Sequence, residues 1–218
     1  MDIKINKDSV IVFDLDDTLY NESEYLRSAY IEIAKKLAPK NWKPLFAKLY
    51  SFYRCGLDAF EHITETYGIS KTELLNIYRN HSPTIYPFEG VMKTFLHIKE
   101  NKGRVCIITD GRKVTQQGKI KALGLLNYID TIIISEETGF EKPDEHNFKM
   151  IEETYVNGHY WYIADNFRKD FISPNNMGWN TVGLIDNGLN VHYDSHLYFN
   201  TKTLPKNFVL SFNEIHIL

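Results

Sequence analysis

Short apolar runs, rich in β-branched residues, recur along most of the chain and alternate with stretches of helical periodicity. The apolar runs predict buried strands at 10–13, 104–108, 131–134, 160–164 and 181–185, with a further edge strand at 207–211. Helical stretches occur at 91–101, 116–123 and 145–154. Strand–helix–strand repeats with right-handed crossovers build a parallel sheet. We therefore predict an α/β fold with a doubly wound parallel sheet.

A different pattern fills residues 20–86, where helical periodicity predominates. The predicted helices are 23–38, 44–54, 57–67 and 71–80. Ser70 and Glu73 have the spacing of a capping box at the start of the last helix. The aromatic residues of this block recur at helical spacing, which favours packing over base recognition. We predict an inserted helical domain at 20–86 and an α/β core formed by 1–19 and 87–218.

Composition and charge narrow the classes of protein that this chain could be. Its 218 residues are 43% hydrophobic and 24% charged, as in an ordinary globular protein. A formal charge of -3, without a dense Lys/Arg stripe, argues against a nucleic-acid partner. The polar start and the lack of a long apolar run predict a cytoplasmic protein without a membrane span. Cys55 and Cys106 are expected to be reduced.

The first predicted strand ends in a cluster of carboxylates. Asp14, Asp16 and Asp17 follow the run at 10–13, with no basic residue beside them. Such a cluster is costly at the end of a buried strand unless a cation neutralises it, and carboxylate oxygens suit Mg²⁺. Asp17 is interpreted as a solvated or capping residue. We therefore expect a magnesium site that includes this strand end.

Polar residues also follow three later strands. Thr109, Asp110 and Gly111 come after 104–108, and Gly111 permits a close backbone approach in which amide groups form an anion nest. Lys142 comes after 131–134 and Asp165 directly after 160–164. Open sheets of this kind place their ligands at the carboxyl ends of the strands. These residues are therefore expected to meet at one site.

The four motifs, taken together, resemble those of the haloacid dehalogenase-like (HAD) hydrolases, which are mostly phosphatases. The stretch FDLDDTL at 13–19 is similar to the first motif, and the strand ends at Thr109, Lys142 and Asp165 are similar to the later ones. The resemblance covers about residues 8–186. Ala164 departs from the pattern, because many members have glycine there. One large branch of the family carries a helical cap at the position of our inserted block, which can close over the phosphate.

The resemblance implies a role for each motif residue. Asp14 is the nucleophile that forms an aspartyl-phosphate, and Asp16 is the general acid and base. Lys142 offsets negative charge on the transferred phosphoryl group. The remaining assignments are substrate binding by Thr109, Asp110 and Gly111, Mg²⁺ binding by Asp14, Asp16 and Asp165, and support from Thr18, Asn166 and Asp170.

These assignments predict a Mg²⁺-dependent phosphatase that hydrolyses a small phosphorylated metabolite, either a sugar phosphate or a nucleotide. A phosphomutase of the same family and a non-catalytic phosphate-binding or scaffolding protein remain alternatives. A dehalogenase has no need of an acid at the position of Asp16, which argues against that activity. His192 and His196 have helix-compatible ligand spacing but no third ligand nearby, so they are interpreted as solvated. The sequence does not indicate an oligomeric state.

Overall fold

The computed structural model describes residues 1–199 and 203–218 and divides the chain into two compact units. One unit consists of Met1–Glu22 and Tyr86–Leu218, and the other of Ser23–Ile85. The helices that begin before residue 81 are α1 (Glu22–Leu37), α2 (Trp42–Arg54), α3 (Ala59–Tyr67) and α4 (Lys71–Asn80). Whether the helical unit acts as a cap stays a prediction.

The larger unit is built on a six-stranded, entirely parallel sheet, which confirms the predicted fold class. The strands of the chain are β1 (Asp2–Ile3), β2 (Ser9–Phe13), β3 (Arg104–Thr109), β4 (Thr131–Ile134), β5 (His159–Ala164), β6 (Asn180–Leu184), β7 (Asn207–Val209) and β8 (His216–Ile217). The sheet order is β4-β3-β2-β5-β6-β7, with β7 at an edge as predicted. The sequence pattern missed the parallel pair of β1 and β8, because each has only two residues.

Within residues 1–199 and 203–218, five α-helices of this unit connect the strands. They are α5 (Val91–Glu100), α6 (Lys113–Ala122), α7 (Ser135–Thr138), α8 (His146–Thr154) and α9 (Ile172–Asn176). Helix α6 begins at Lys113, earlier than the predicted residue 116, because Arg112 is the last residue with an extended backbone. Within the two described ranges, no helix is long and apolar enough to cross a membrane.

Both faces of the sheet are buried. Val12 belongs to a core cluster with Phe148 of α8. On the other face, the ring of Phe13 packs 4.9 Å from that of Phe95 in α5. Alternate residues of one strand therefore meet helices on opposite sides, which explains why the strand is apolar throughout rather than alternating.

The strand order places a topological switch at β2. From β2 the chain proceeds to β3 and β4 on one side, then returns to β5 on the other side. Crevices outside the carboxyl ends of the strands at such a switch are the usual ligand sites of open α/β sheets. Asp14 follows β2 directly, so it lies at this point.

The helical unit has a core of its own. Buried Ile33, Leu49 and Ile63 pack with partly buried aromatic residues, so the predicted packing role of the aromatic residues is confirmed within this unit. Ser70 Oγ accepts the N–H of Glu73 at 3.2 Å, which is the first of the two hydrogen bonds of the predicted capping box. The Glu73 carboxylate accepts from Lys36 Nζ at 3.1 Å and so forms an ion pair between helices.

Candidate active site

Asp14 continues the line of β2 beyond the last paired residue of that strand. Phe13 pairs with Ile107 of β3 and Ile163 of β5, and the Asp14 N–H donates to Ile163 O at 3.0 Å. The residue is only 6% exposed. Because three adjacent strands hold this backbone, the carboxylate of Asp14 has a well-defined position at the end of the sheet.

Lys142 supplies a buried positive charge to this carboxylate. Its Nζ lies 2.6 Å from Asp14 Oδ1 and 2.9 Å from Asp170 Oδ1, and it donates to the Tyr162 hydroxyl at 3.1 Å. Burial alone lowers the pKa of Lys142, but Asp14 and Asp170 outweigh it and hold that pKa well above its ordinary value. Lys142 is therefore positively charged in the folded protein. Its peptide bond to Pro143 is cis.

Three buried carboxylates lie close together, and two of them contact this ammonium group. Asp14, Asp165 and Asp170 each offer an oxygen within 4.8 Å of the others. Burial raises the pKa of Asp14 to about 7, and Lys142 opposes that rise. Burial, with the charges of Asp170 and Asp14, raises the pKa of Asp165 well above its ordinary value. One ammonium group does not neutralise three carboxylates, so the donor set fits a hard divalent cation such as Mg²⁺.

Asp16 lies differently from its predicted place among the metal ligands. Lys119 Nζ reaches both Asp16 oxygens, at 2.7 and 2.8 Å, Gln116 Nε2 donates to Oδ2 at 2.8 Å, and the Tyr20 hydroxyl donates to Oδ1. Burial alone raises the pKa of Asp16, but the charge and hydrogen bonds of Lys119 outweigh it and lower that pKa. The Asp16 carboxylate is thus ionised and paired with side chains of α6. Asp170, rather than Asp16, lies with Asp14 and Asp165 in the group of closely spaced carboxylates.

The second motif is partly arranged as predicted. Thr109 Oγ1 lines the site and accepts from Gln116 Nε2 at 2.6 Å. The Asp110 carboxylate accepts the N–H of Lys142 at 3.1 Å and also bonds to Lys169 Nζ. The structure differs from the prediction at Gly111, whose N–H donates to Ser135 Oγ at 2.9 Å and therefore does not contribute to an anion nest.

The predicted supporting residues connect the carboxylates to the backbone. Thr18 Oγ1 donates to Asp165 Oδ1 at 3.1 Å and lies 3.5 Å from Asp14 Oδ2. The N–H of Asn166 donates to Asp170 Oδ2 at 3.2 Å, while its side-chain oxygen accepts the N–H of Arg168 at 3.1 Å. Asn166 therefore closes the turn after β5, and Asp170 is held between that turn and Lys142.

A loop after β6 contributes groups that no motif indicated. Asn190 Nδ2 donates to Asp165 Oδ2 at 2.9 Å, and the N–H of Val191 donates to Asp17 Oδ2 at 2.6 Å. Asp17 is buried rather than solvated, and its backbone adopts a φ of 54°. Its other oxygen accepts the N–H of Glu22 at the start of α1, as a capping residue does. Nothing in the local pattern of this loop indicated these contacts.

These groups enclose a polar cavity of about 190 Å³. Glu22, Lys169 and His192 line it in addition to the motif residues, and His192 is exposed, as predicted. Burial and the nearby charge of Asp16 raise the pKa of Glu22 to about 8. The cavity thus combines a buried nucleophile candidate, a fixed cation, a hydroxyl group and an ionised acid–base candidate.

Comparisons with known proteins agree with this arrangement. A glyceraldehyde 3-phosphate phosphatase of Methanocaldococcus jannaschii is 26% identical over 197 residues, covering 80% of this chain and 84% of that protein. A pyrimidine 5'-nucleotidase of Escherichia coli is 25% identical over 191 residues, covering 80% of this chain and 84% of that protein.

Solved structures show the same fold. The magnesium-bound HAD hydrolase YfnB of Bacillus subtilis superposes with a TM-score of 0.63 at 19% identity, covering 96% of this chain and 97% of that one. Residues 11–184 match the family described as haloacid dehalogenase-like hydrolase, which is most of the chain. The protein therefore belongs to the haloacid dehalogenase-like hydrolase family, as its motifs predicted.

Proposed function

We propose that this protein is a Mg²⁺-dependent phosphatase that hydrolyses a small phosphorylated metabolite through an aspartyl-phosphate on Asp14. The observation that carries the proposal is the contact of Lys142 with Asp14 inside a group of three buried carboxylates. Asp14, Lys142 and Asp165 line one small polar cavity, which supports their roles as nucleophile, cation and metal ligand. The names of the relatives also support a phosphatase.

In the first half of the reaction, an oxygen of Asp14 attacks phosphorus and the bond from phosphorus to the leaving oxygen breaks. Protonated Asp16 gives its proton to that oxygen, so the alcohol departs neutral. Lys142 and Thr109 lie where they can interact with the phosphoryl oxygens, on which negative charge builds up. The products of this step are the free alcohol and phosphorylated Asp14.

In the second half, water attacks the phosphorus of phosphorylated Asp14 and ionised Asp16 takes the proton of that water. Inorganic phosphate and free Asp14 result. Asp16 then holds the proton that it donates in the next turnover, so protons balance over the cycle. The structure describes the ionised state, in which Lys119 pairs with Asp16.

Magnesium belongs in this proposal because of the charge of the site. Asp14, Asp165 and Asp170 are the residues that would hold the ion, through their closely spaced oxygens. When bound, Mg²⁺ screens the repulsion between a phosphate dianion and the attacking carboxylate. Thr18 and Asn190 orient the two oxygens of Asp165 for this purpose.

The proposed substrate class follows from the size of the cavity and from the relatives. The cavity in the core unit suits a phosphoryl group and little more, since pockets for drug-sized ligands begin at about 300 Å³. The relatives are named for a triose phosphate, pyrimidine nucleotides and pyrophosphate. Sugar phosphates and nucleotides are therefore the classes to test, and we propose no nucleic-acid partner.

The experiment is phosphate release from a panel of sugar phosphates, nucleotides and one activated aryl phosphate, with Mg²⁺ or with EDTA. The native protein is compared with Asp14→Asn, which keeps the shape but removes the nucleophile. Asp8→Asn is the matched control, because Asp8 is exposed and precedes the opposite end of β2. We expect Mg²⁺-dependent release by the native protein and by the control, and none by Asp14→Asn.

Two outcomes contradict the proposal. If Asp14→Asn still releases phosphate, Asp14 is not the nucleophile. If the native protein releases phosphate from no ester, the alternative of a non-catalytic phosphate-binding protein is favoured. A phosphomutase is recognised differently, by isomerisation of a sugar phosphate that exceeds phosphate release.

A further inference from the structure

Lys119 is a buried lysine that belongs to none of the four motifs. It lies on α6, its side chain is only 4% exposed, and its Nζ contacts both oxygens of Asp16. Glu22 Oε1 also lies 3.9 Å from the same Nζ. A lysine is almost never buried to this extent unless it is paired, so the contact with Asp16 is a specific feature of the site.

Gln116 lies one turn earlier on the same face of α6. Its Nε2 donates to Asp16 Oδ2 at 2.8 Å and to Thr109 Oγ1 at 2.6 Å. It is 1% exposed. Residues three apart on a helix are neighbours, so Gln116 and Lys119 together present donors to one carboxylate. Through them, α6 connects the first motif to the second.

We propose that Lys119, assisted by Gln116, is a positioning residue that holds the carboxyl group of Asp16 in place for acid–base catalysis. This inference rests on the proposed function, because it assigns Asp16 a proton to transfer. The competing explanation is that Lys119 forms a structural ion pair that only stabilises the fold.

The geometry favours positioning for a specific reason. Asp16 lies in the turn after β2, where its side chain is free to rotate unless other groups hold it. Lys119 and Gln116 bind its two oxygens from a helix, and Tyr20 donates from within the turn. General acid catalysis requires hydrogen-bond reach to the leaving oxygen, and a displacement of about 1 Å lowers the rate roughly 10²-fold.

Leaving groups of different basicity separate positioning from stability. An alkyl phosphate needs a proton on its leaving oxygen, whereas 2,4-dinitrophenyl phosphate releases a stable anion without one. The value of kcat/KM reports only the steps up to departure of the leaving group, so the later use of Asp16 as a base does not affect it. A residue that acts through Asp16 changes the ratio of the two kcat/KM values, but a residue that only stabilises the fold does not.

The experiment measures both kcat/KM values, with Mg²⁺, for the native protein, Lys119→Met, Lys119→Arg, Gln116→Ala and Asp16→Asn. The alkyl substrate is the one that the native protein hydrolyses best. Lys121→Met and Gln117→Ala are matched controls, because both side chains are exposed on the same part of the chain. Circular dichroism and thermal melting show whether each variant folds.

We expect Lys119→Met to lose roughly 10²-fold in kcat/KM on the alkyl phosphate and to change little on the dinitrophenyl ester. Lys119→Arg should lose less kcat/KM on the alkyl phosphate than Lys119→Met does. Gln116→Ala should also show a smaller loss, again on the alkyl phosphate only. The double variant Lys119→Met/Asp16→Asn is no slower on the alkyl ester than Asp16→Asn, because both changes remove one function.

An equal loss on both esters, or no loss on the alkyl ester, overturns the inference. If Lys119→Met does not fold, Lys119→Arg and Gln116→Ala decide by the same ratio. Failure of the phosphatase proposal can be told apart from failure of this inference. In the first case the native protein releases no phosphate from either ester.

Discussion

At the scale of single residues, one buried lysine offsets part of the negative charge of the site. Lys142 contacts Asp14 and Asp170, and these two carboxylates lie close to that of Asp165. A buried ion pair costs desolvation, and the loss of one partner leaves the other charge unpaired. Lys142 is therefore expected to matter for folding as well as for chemistry.

Lys142→Met is predicted to lower the free energy of unfolding of the metal-free protein by about 3–5 kcal/mol, because it leaves buried carboxylates without a cation. Urea unfolding in EDTA measures the effect. Mg²⁺ should recover part of the loss, since it neutralises the same oxygens. Lys149→Met, at an exposed position in α8, serves as the control. Unchanged stability in EDTA would contradict this account of the site.

The contribution of Asp14 to the stability of the metal-free protein is predicted to fall as the pH rises from about 4 to about 7. Burial raises the pKa of Asp14 to about 7, above its ordinary value of 3.8, so the folded state binds a proton more tightly than the unfolded state. The stability from this group is complete below pH 4 and is lost as the pH passes 7.

The measurement is urea unfolding in EDTA at several pH values between 4 and 8. Asp14→Asn removes this contribution, so the stability of the native protein relative to this variant should fall as the pH rises. The two proteins would show the same dependence if Asp14 titrated alike in the folded and unfolded states.

At the scale of elements, the loop after β6 supports the proposed metal site from outside the motifs. Asn190 orients Asp165, and the N–H of Val191 reaches Asp17. Residues that orient a metal ligand typically affect metal affinity without contacting the ion. The loop is thus part of the proposed site although it follows the last motif.

Asn190→Ala is predicted to weaken Mg²⁺ binding roughly 10- to 100-fold, because Asp165 loses the donor to one of its oxygens. The dependence of phosphate release on Mg²⁺ concentration measures this affinity. Leu189→Ala is the control on the same loop, since its side chain is exposed. An unchanged Mg²⁺ dependence in Asn190→Ala would show that Thr18 suffices to orient Asp165.

At the scale of the whole molecule, the candidate site belongs to one unit. Asp14, Asp165, Asp170, Lys142 and Lys119 all lie in the unit formed by Met1–Glu22 and Tyr86–Leu218. Within that unit, the N–H of Phe88 donates to Leu19 O at 2.8 Å, so the chain leaves the core and returns to it at neighbouring points. A domain inserted between neighbouring points can be removed without stretching the core.

Replacement of Ser23–Ile85 by a short Gly–Ser linker is predicted to leave a core that unfolds cooperatively and is stabilised by Mg²⁺. Thermal melting with Mg²⁺ and with EDTA measures both properties. Asp165→Asn in the shortened chain is the control that should abolish the Mg²⁺ effect. A shortened chain that does not fold, or that ignores Mg²⁺, would show that the core depends on the helical unit.

Several features of this protein could be predicted from local pattern alone. The strands of the large parallel sheet followed from apolar runs, and the family followed from the motif residues Asp14, Thr109, Lys142 and Asp165. Such runs are informative because a strand buried on both faces must be apolar throughout, and because strand ends of a parallel sheet meet at one edge.

Other features depended on contacts between residues far apart in the chain. Lys119 lies 103 positions from Asp16, and Asn190 lies 25 positions from Asp165. The hydrogen bond from the Gly111 N–H to Ser135 Oγ is of the same kind. A sequence pattern reports burial and periodicity, but it does not report which buried polar groups become partners. Folding decides those partners, because each buried donor and acceptor must be satisfied by whatever group the packed elements bring within reach.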